Sequence, residues 1–272
     1  MRDLFIGALL FLFGYLFKVL MDWIVKRFEN QKLKSDFIFD SIYVSGFIKD
    51  QSKAIKKVRK GMSKSIFDMS VGITIIESSV FDVLVQYSRP EIGRLFYSRN
   101  KRRKGNRKSR KSVFSIYQAM GYVKSSMEEY KRKIKEDLDE VNSQISNVWD
   151  PNLSLIQGLF NEYKNKSEKL VEDKFLHAFQ LIFNEWIGLK NFRNIFIAHL
   201  NFIEKLKVLI NEYPKDQRAI SLSVPVVQCS NAFLNTENRI NRLIDYLTKL
   251  ELDFKITYKR VRSHIKRLEK RK

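Results

Sequence analysis

Apolar residues return along this chain at steps of three and four, and almost nowhere at the alternating step of a strand. The clearest case is Met127 to Trp149. There Tyr130, Ile134, Leu138, Val141, Ile145 and Val148 form one stripe, and charged residues from Glu128 through Glu140 fill the other face. That pattern predicts a long surface helix or a seam for a partner helix. Ser65 to Ser88 predicts a helix capped by Ser65 and apolar around most of its circumference, hence central to the core. Glu77 within it either lies on an exposed edge or serves as an acidic partner for Arg193 or His199, and Pro90 closes the segment. Ser112 to Val123 reads as a short apolar helix. Asp150-Pro151 breaks the pattern, and Leu153 to Tyr163 resumes it. Ser167 to Tyr213 is apolar-periodic, interrupted near Gly188 and ended by Pro214. Asp216 to Val227, with Pro225, reads as a loop. A last helix runs from Asn231 to Leu252, and Tyr258 to Lys272 forms a basic tail containing His264. The expected fold class is all-α.

The beginning of the chain differs in kind. Leu4 to Phe17 holds no charge, and the apolar character continues to Val25 past Lys18 and Asp22. A stretch of this length matches the roughly 20 residues that a hydrocarbon core requires. Lys18 and Asp22 are one turn apart and can pair. The expectation is therefore a single-pass signal anchor through residues 4–25, against the alternative of a buried or interfacial helix. Lys26, Arg27, Lys32 and Lys34 follow it, while Arg2 before it is opposed by Asp3. The positive-inside rule then places the anchor in the inner (cell) membrane with the C-terminal domain in the cytoplasm. Asp36 to Met62 reads as a connecting helix, first apolar and then basic. The resulting division is 1–30 anchor, 31–63 basic connecting helix, 64–252 helical domain and 253–272 basic tail.

Composition sharpens the partner class. With 10 glycines and 4 prolines among 272 residues, sheet and turn architectures have little support. The single cysteine, Cys229, excludes an intrachain disulfide framework. A net charge of +21 favours polyanionic partners: RNA, DNA or an anionic membrane surface. The charge is densest between Arg99 and Lys111, where Arg99, Lys101, Arg102, Arg103, Lys104, Arg107, Lys108, Arg110 and Lys111 are basic. Such a run predicts a solvated loop able to grip phosphates or lipid headgroups.

Phosphate-binding Gly-Lys-Ser loops, Gly-x-Ser-x-Gly elbows and Cys/His metal spacings are absent from the sequence, so neither a metal nor a cofactor is expected. One stretch carries candidate chemistry: Phe-Arg-Asn-Ile-Phe-Ile-Ala-His-Leu, from Phe192 to Leu200. Read as one helix, Leu189, Phe192, Phe196, Ile203, Leu206 and Ile210 form its apolar stripe, and His199 interrupts it. Metal-free RNA cleavage needs a base for the ribose 2′-hydroxyl, a cation for the phosphorane and an acid for the leaving oxygen. His199, Arg193 and Asn194 supply those types. The bland alternatives are a core histidine bonded to a carbonyl and a surface arginine paired with an acid such as Glu185. Arginine and histidine six positions apart on one helix are separated by about 120° and about 9 Å, so one chain grips a phosphate poorly unless the helix bends or ends between them.

The segment Arg193-Asn194-Ile195-Phe196-Ile197-Ala198-His199 resembles the arginine–(four to six residues)–histidine motif of the HEPN superfamily, above all its abortive-infection branch. The resemblance implies a helical-bundle domain with Arg193, Asn194 and His199 as catalytic residues, and a site completed across a homodimer. It further implies a metal-independent endoribonuclease acting as a toxin or anti-phage defence effector, with an antitoxin or defence-system partner. Leu200-Asn201 stands where an acidic residue would be expected soon after the histidine. The alternative is a non-catalytic, membrane-tethered helical protein that binds nucleic acid or a protein partner. RNA is the expected ligand of the first reading.

Overall fold

The structure, a computed structural model, describes residues 2–64, 78–96, 103–166 and 173–270, and within them the side chains of all but 2–10, 63–64, 78 and 103–106. Among the described residues every regular element is helical. In order these are α1 (Arg2–Lys64), a 3₁₀ segment (Ser78–Leu84), α2 (Arg89–Leu95), α3 (Arg103–Gln144), a π-helical turn (Ile145–Trp149) and α4 (Asp150–Lys166). There follow α5 (Lys174–Ile187), α6 (Ile195–Ala198), a second π-helical turn (His199–Ile203), α7 (Glu204–Glu212) and α8 (Gln217–Glu269).

The all-helical expectation agrees with this, but the membrane span does not. No helix among the described residues is long and apolar enough to cross a membrane. From Phe11 onward the apolar run is cut by Lys18, Asp22, Lys26 and Arg27, one charge in nearly every turn. The single-pass anchor, and the inner-membrane placement drawn from it, are therefore corrected.

Three prolines sit inside helices where the sequence pattern predicts an end, a break or a loop. Pro90 occupies the first turn of α2, where its missing N–H has no intrahelical partner to lose. Asp150-Pro151 opens α4 directly from the first π-turn instead of breaking the chain. Pro225 lies within α8, which runs through the expected loop and the expected basic tail. An interior proline costs a helix about 3 kcal/mol. Here Ala219, Leu222, Val226 and Cys229, all at 0% exposure, anchor that part of α8 by burial on both sides of the proline. Gly105-Asn106 falls inside α3, so the described part of the expected loop, 103–111, is helical. The expected helix from 65 to 88, with Glu77, lies mostly outside the described residues.

The chain packs as two compact units. The first comprises Met1–Ala54, Ile75–Glu129 and Leu250–Lys272. Its core gathers Phe37, Phe96 and Tyr117 around one another, with Phe37 stacked on Tyr117 at 5.8 Å between centroids. Tyr117 donates to the carbonyl of Tyr87 at 2.9 Å, and the Tyr87 hydroxyl donates to Asp40. The second comprises Ile55–Thr74 and Tyr130–Lys249. Its core is aromatic: Trp186 stacks on Phe202 at 4.3 Å, and Phe160 on Phe183 at 4.4 Å. Arg218, at the start of α8, holds both Asp216 and Asp173, and Asp173 caps α5 by accepting from the amide of Leu176. This guanidinium keeps both carboxyls below the usual carboxylate range.

Candidate functional site

The motif is not carried by one helix. α5 ends at Ile187, and the chain turns through residues 188–194 before α6 begins. Amide-to-carbonyl bonds from Leu189 to Trp186, Phe192 to Leu189 and Asn194 to Asn191 close this turn. Asn191 takes a left-handed conformation (φ 66°), which asparagine tolerates better than most residues. The indole of Trp186 donates to the carbonyl of Phe192 at 2.8 Å and fixes the exit of the turn to the core.

The three expected catalytic residues therefore have three different environments. Arg193 lies in the turn, exposed, with its guanidinium 5.7 Å from the ring of Phe192. Asn194 is the N-cap of α6: its side-chain oxygen accepts from the amides of Phe196 and Ile197 at 3.0 and 3.3 Å. That is ordinary capping work for asparagine. His199 is 6% exposed and stacked on Phe233 of α8, with ring centroids 3.8 Å apart and planes 8° apart. The bland alternatives are realised in position but not in the partners foreseen: His199 is buried in the core and Arg193 is at the surface. Glu185 pairs with Lys205 at 2.6 Å, and the polar partners of His199 are side chains.

Those partners form a cluster that the sequence did not announce. Nε2 of His199 lies 3.0 Å from a carboxylate oxygen of Glu204 and 3.4 Å from the hydroxyl of Ser230. Lys207 donates to Glu204 at 2.7 Å and to Ser230 at 2.5 Å. The local cause is the π-turn, which closes residue i to i+5: the amide of Glu204 donates to the carbonyl of His199. The acid that seemed missing after the histidine is thus supplied five positions on. Burial lowers the affinity of His199 for a proton below the usual histidine value; Glu204 opposes this and Lys207 adds to it. The ring is neutral near pH 7. Nε2 thus faces both Glu204 and Ser230, and in the tautomer that carries the proton on Nε2 the free lone pair sits on Nδ1, which is buried and has no hydrogen-bond partner. A neutral imidazole has the protonation state of a general base, but this lone pair faces protein.

The basic candidates divide as well. Arg99, Lys101 and Arg102 lie outside the described residues. Arg103 and Lys104 open α3. Arg107, Lys108, Arg110 and Lys111 are exposed along its first turns. Between them and the body of α3, the hydroxyl of Ser112 meets Nδ1 of His264 at 3.1 Å. His264 belongs to the end of α8, where Lys259, Arg260, Lys266, Arg267 and Lys270 are exposed. Burial, then Arg267 and Lys111, lower the proton affinity of His264. Two basic runs far apart in sequence are thereby brought to one place in the first unit. A basic tail over residues 258–272 does not predict this meeting. The signal was the stripe Val261, Ile265 and Leu268, all buried, at helical spacing.

Among the described residues no group of three or more histidine, cysteine, aspartate or glutamate side chains is placed to hold a metal ion. Compared with protein-family models, curated proteins and solved structures, the chain matches none of them, so the HEPN resemblance rests on the residues of the motif alone.

Proposed function

We propose that this chain is a helical RNA-binding protein whose binding surface is built from the start of α3 and the end of α8. The observation that carries the reading is the Ser112–His264 contact, which puts Arg107, Lys108, Arg110 and Lys111 beside Arg260, Lys266 and Arg267. After Asp253, the next acidic residue on α8 is Glu269, so little negative charge offsets this group. Cations clustered on adjacent helices neutralise successive phosphates and release their counterions. The test is binding of labelled RNA by the full-length chain across a salt series. Affinity falls linearly with salt on logarithmic axes, and charge reversal at Lys266 and Arg267 lowers it at least about tenfold. Binding to phosphatidylserine vesicles with none to RNA overturns the reading, as does RNA binding indifferent to that reversal.

A second reading, metal-independent RNA cleavage at His199 by a toxin or anti-phage defence effector, is favoured by the Glu204 contact. A carboxylate 3.0 Å from Nε2 favours the proton on that nitrogen, which leaves Nδ1 as the basic one. This reading requires Nδ1 to become accessible and Arg193 to approach, for instance from a second copy of the chain. Wild type and His199→Ala, incubated with RNA in EDTA, separate the two. New 2′,3′-cyclic phosphate ends from wild type alone assign cleavage to His199, whereas equal RNA binding without new ends from either protein leaves the binding reading alone.

A further inference from the structure

Next to the Ser112–His264 contact, α3 and α8 line a cavity of about 440 Å³ within the first unit. Small-ligand sites range from roughly 300 to 1,000 Å³. The two helices run antiparallel here, because Tyr122 meets Asp253 at one end and Ser112 meets His264 at the other. The ends differ chemically. At the first, the Tyr122 hydroxyl donates to Asp253 at 3.1 Å, and the residues Tyr122 and Ile256 are 44% and 37% exposed. At the second, Arg260 and His264 line the wall. The Gln118 amide and the Thr257 hydroxyl lie between them. Asp253 and Arg260 are two turns apart on α8, about 10 Å along its axis.

An aromatic face with an amide and a carboxylate can stack on a base and read its edge. A guanidinium at the far end suits the phosphate of the same nucleotide. The carboxylate fixes the direction: it repels phosphate and accepts from an exocyclic amine. We propose that this cavity seats one unpaired nucleotide of a bound RNA strand, base toward Tyr122 and Asp253, phosphate toward Arg260. The inference rests on the RNA-binding reading and adds to it a class of substrate, single-stranded RNA. A paired base in a duplex cannot enter, and strands bearing amino-substituted bases bind more tightly than oligouridine.

The test uses the full-length chain, a short labelled single strand and a duplex of the same length at one salt concentration. Thr257→Phe fills the cavity and Gln118→Ala removes the amide; both leave every charge in place. Wild type binds the single strand about tenfold more tightly than the duplex. Each variant that melts like wild type loses that preference and keeps its duplex affinity. Because Gln118 is exposed, Gln118→Ala decides the matter if Thr257→Phe does not fold. Single-strand binding unchanged in the folded variants, or no preference in wild type, overturns the cavity assignment while leaving RNA binding in place. Failure of wild type to bind either nucleic acid overturns the RNA-binding reading itself.

Discussion

Two histidines in this chain each meet a serine hydroxyl, His199 with Ser230 at 3.4 Å and His264 with Ser112 at 3.1 Å. Their surroundings are opposite. His199 is stacked on Phe233 and held by Glu204, with its second nitrogen sealed in the protein. His264 lies in the wall of a cavity, with Arg267 and Lys111 as its electrostatic neighbours. The residue with the recognisable motif is the less accessible one, and the residue without a motif borders the charged surface. Accessibility, more than residue type, separates a packing histidine from one that can meet a ligand.

The largest expected effect lies in the packing around His199. Phe233→Ala removes a ring that is 4% exposed and costs about 3–5 kcal/mol in urea unfolding. The matched change at the other site, Tyr122→Ala, costs about 1 kcal/mol or less, because that ring is 44% exposed. Similar losses at both positions would erase the contrast.

Next in size, RNA affinity should respond in the reverse order. His199→Ala leaves RNA binding unchanged but destabilises the fold by about 1–3 kcal/mol, since Glu204 and Ser230 lose their partner. Lys266→Ala or Arg267→Ala leaves melting nearly unchanged. Each lowers the salt slope of RNA binding by about one contact. Anisotropy titrations and thermal melts on the same samples provide both readings.

A smaller effect concerns pH. Burial holds His199 below the ordinary value of 6.5, so as pH falls below about 6.5 the unfolded chain takes up a proton that the folded ring resists. Stability therefore rises with pH through that region and is lost on acidification. His264 is shifted in the same direction. His199→Phe should flatten the stability profile between pH 7 and the folded-state value. Urea midpoints that change with pH as in wild type would place the resisting group elsewhere. The smallest effect is Glu204→Gln: removing the charge that favours the imidazolium moves the His199 titration, followed by its ring proton resonances, to still lower pH.

The helical character of the chain was legible because a 3.6-residue period leaves its mark on every amphipathic turn, as in Tyr130, Ile134 and Val141. Element ends were less legible. Pro90 and Asp150-Pro151 mark starts where ends were expected, and Pro225 marks neither, because local punctuation constrains only one or two backbone groups. Buried neighbours decide whether such a group is tolerated. The motif shows the same division. Arg193, Asn194 and His199 were visible as a set, but the turn closed by Asn191 separates them and gives Asn194 to capping.

The sequence by itself determined the helices, the positive charge and the rarity of residues that bring titratable chemistry into an apolar face. Those properties follow from local periodicity and composition, which each segment carries alone. Tertiary structure decided which groups meet. It put Glu204 on His199 through a π-turn, brought Ser230 from 31 positions away, and set the start of α3 beside the end of α8. Such contacts arise from the shared burial of distant apolar stripes, and no single stretch of chain encodes that burial.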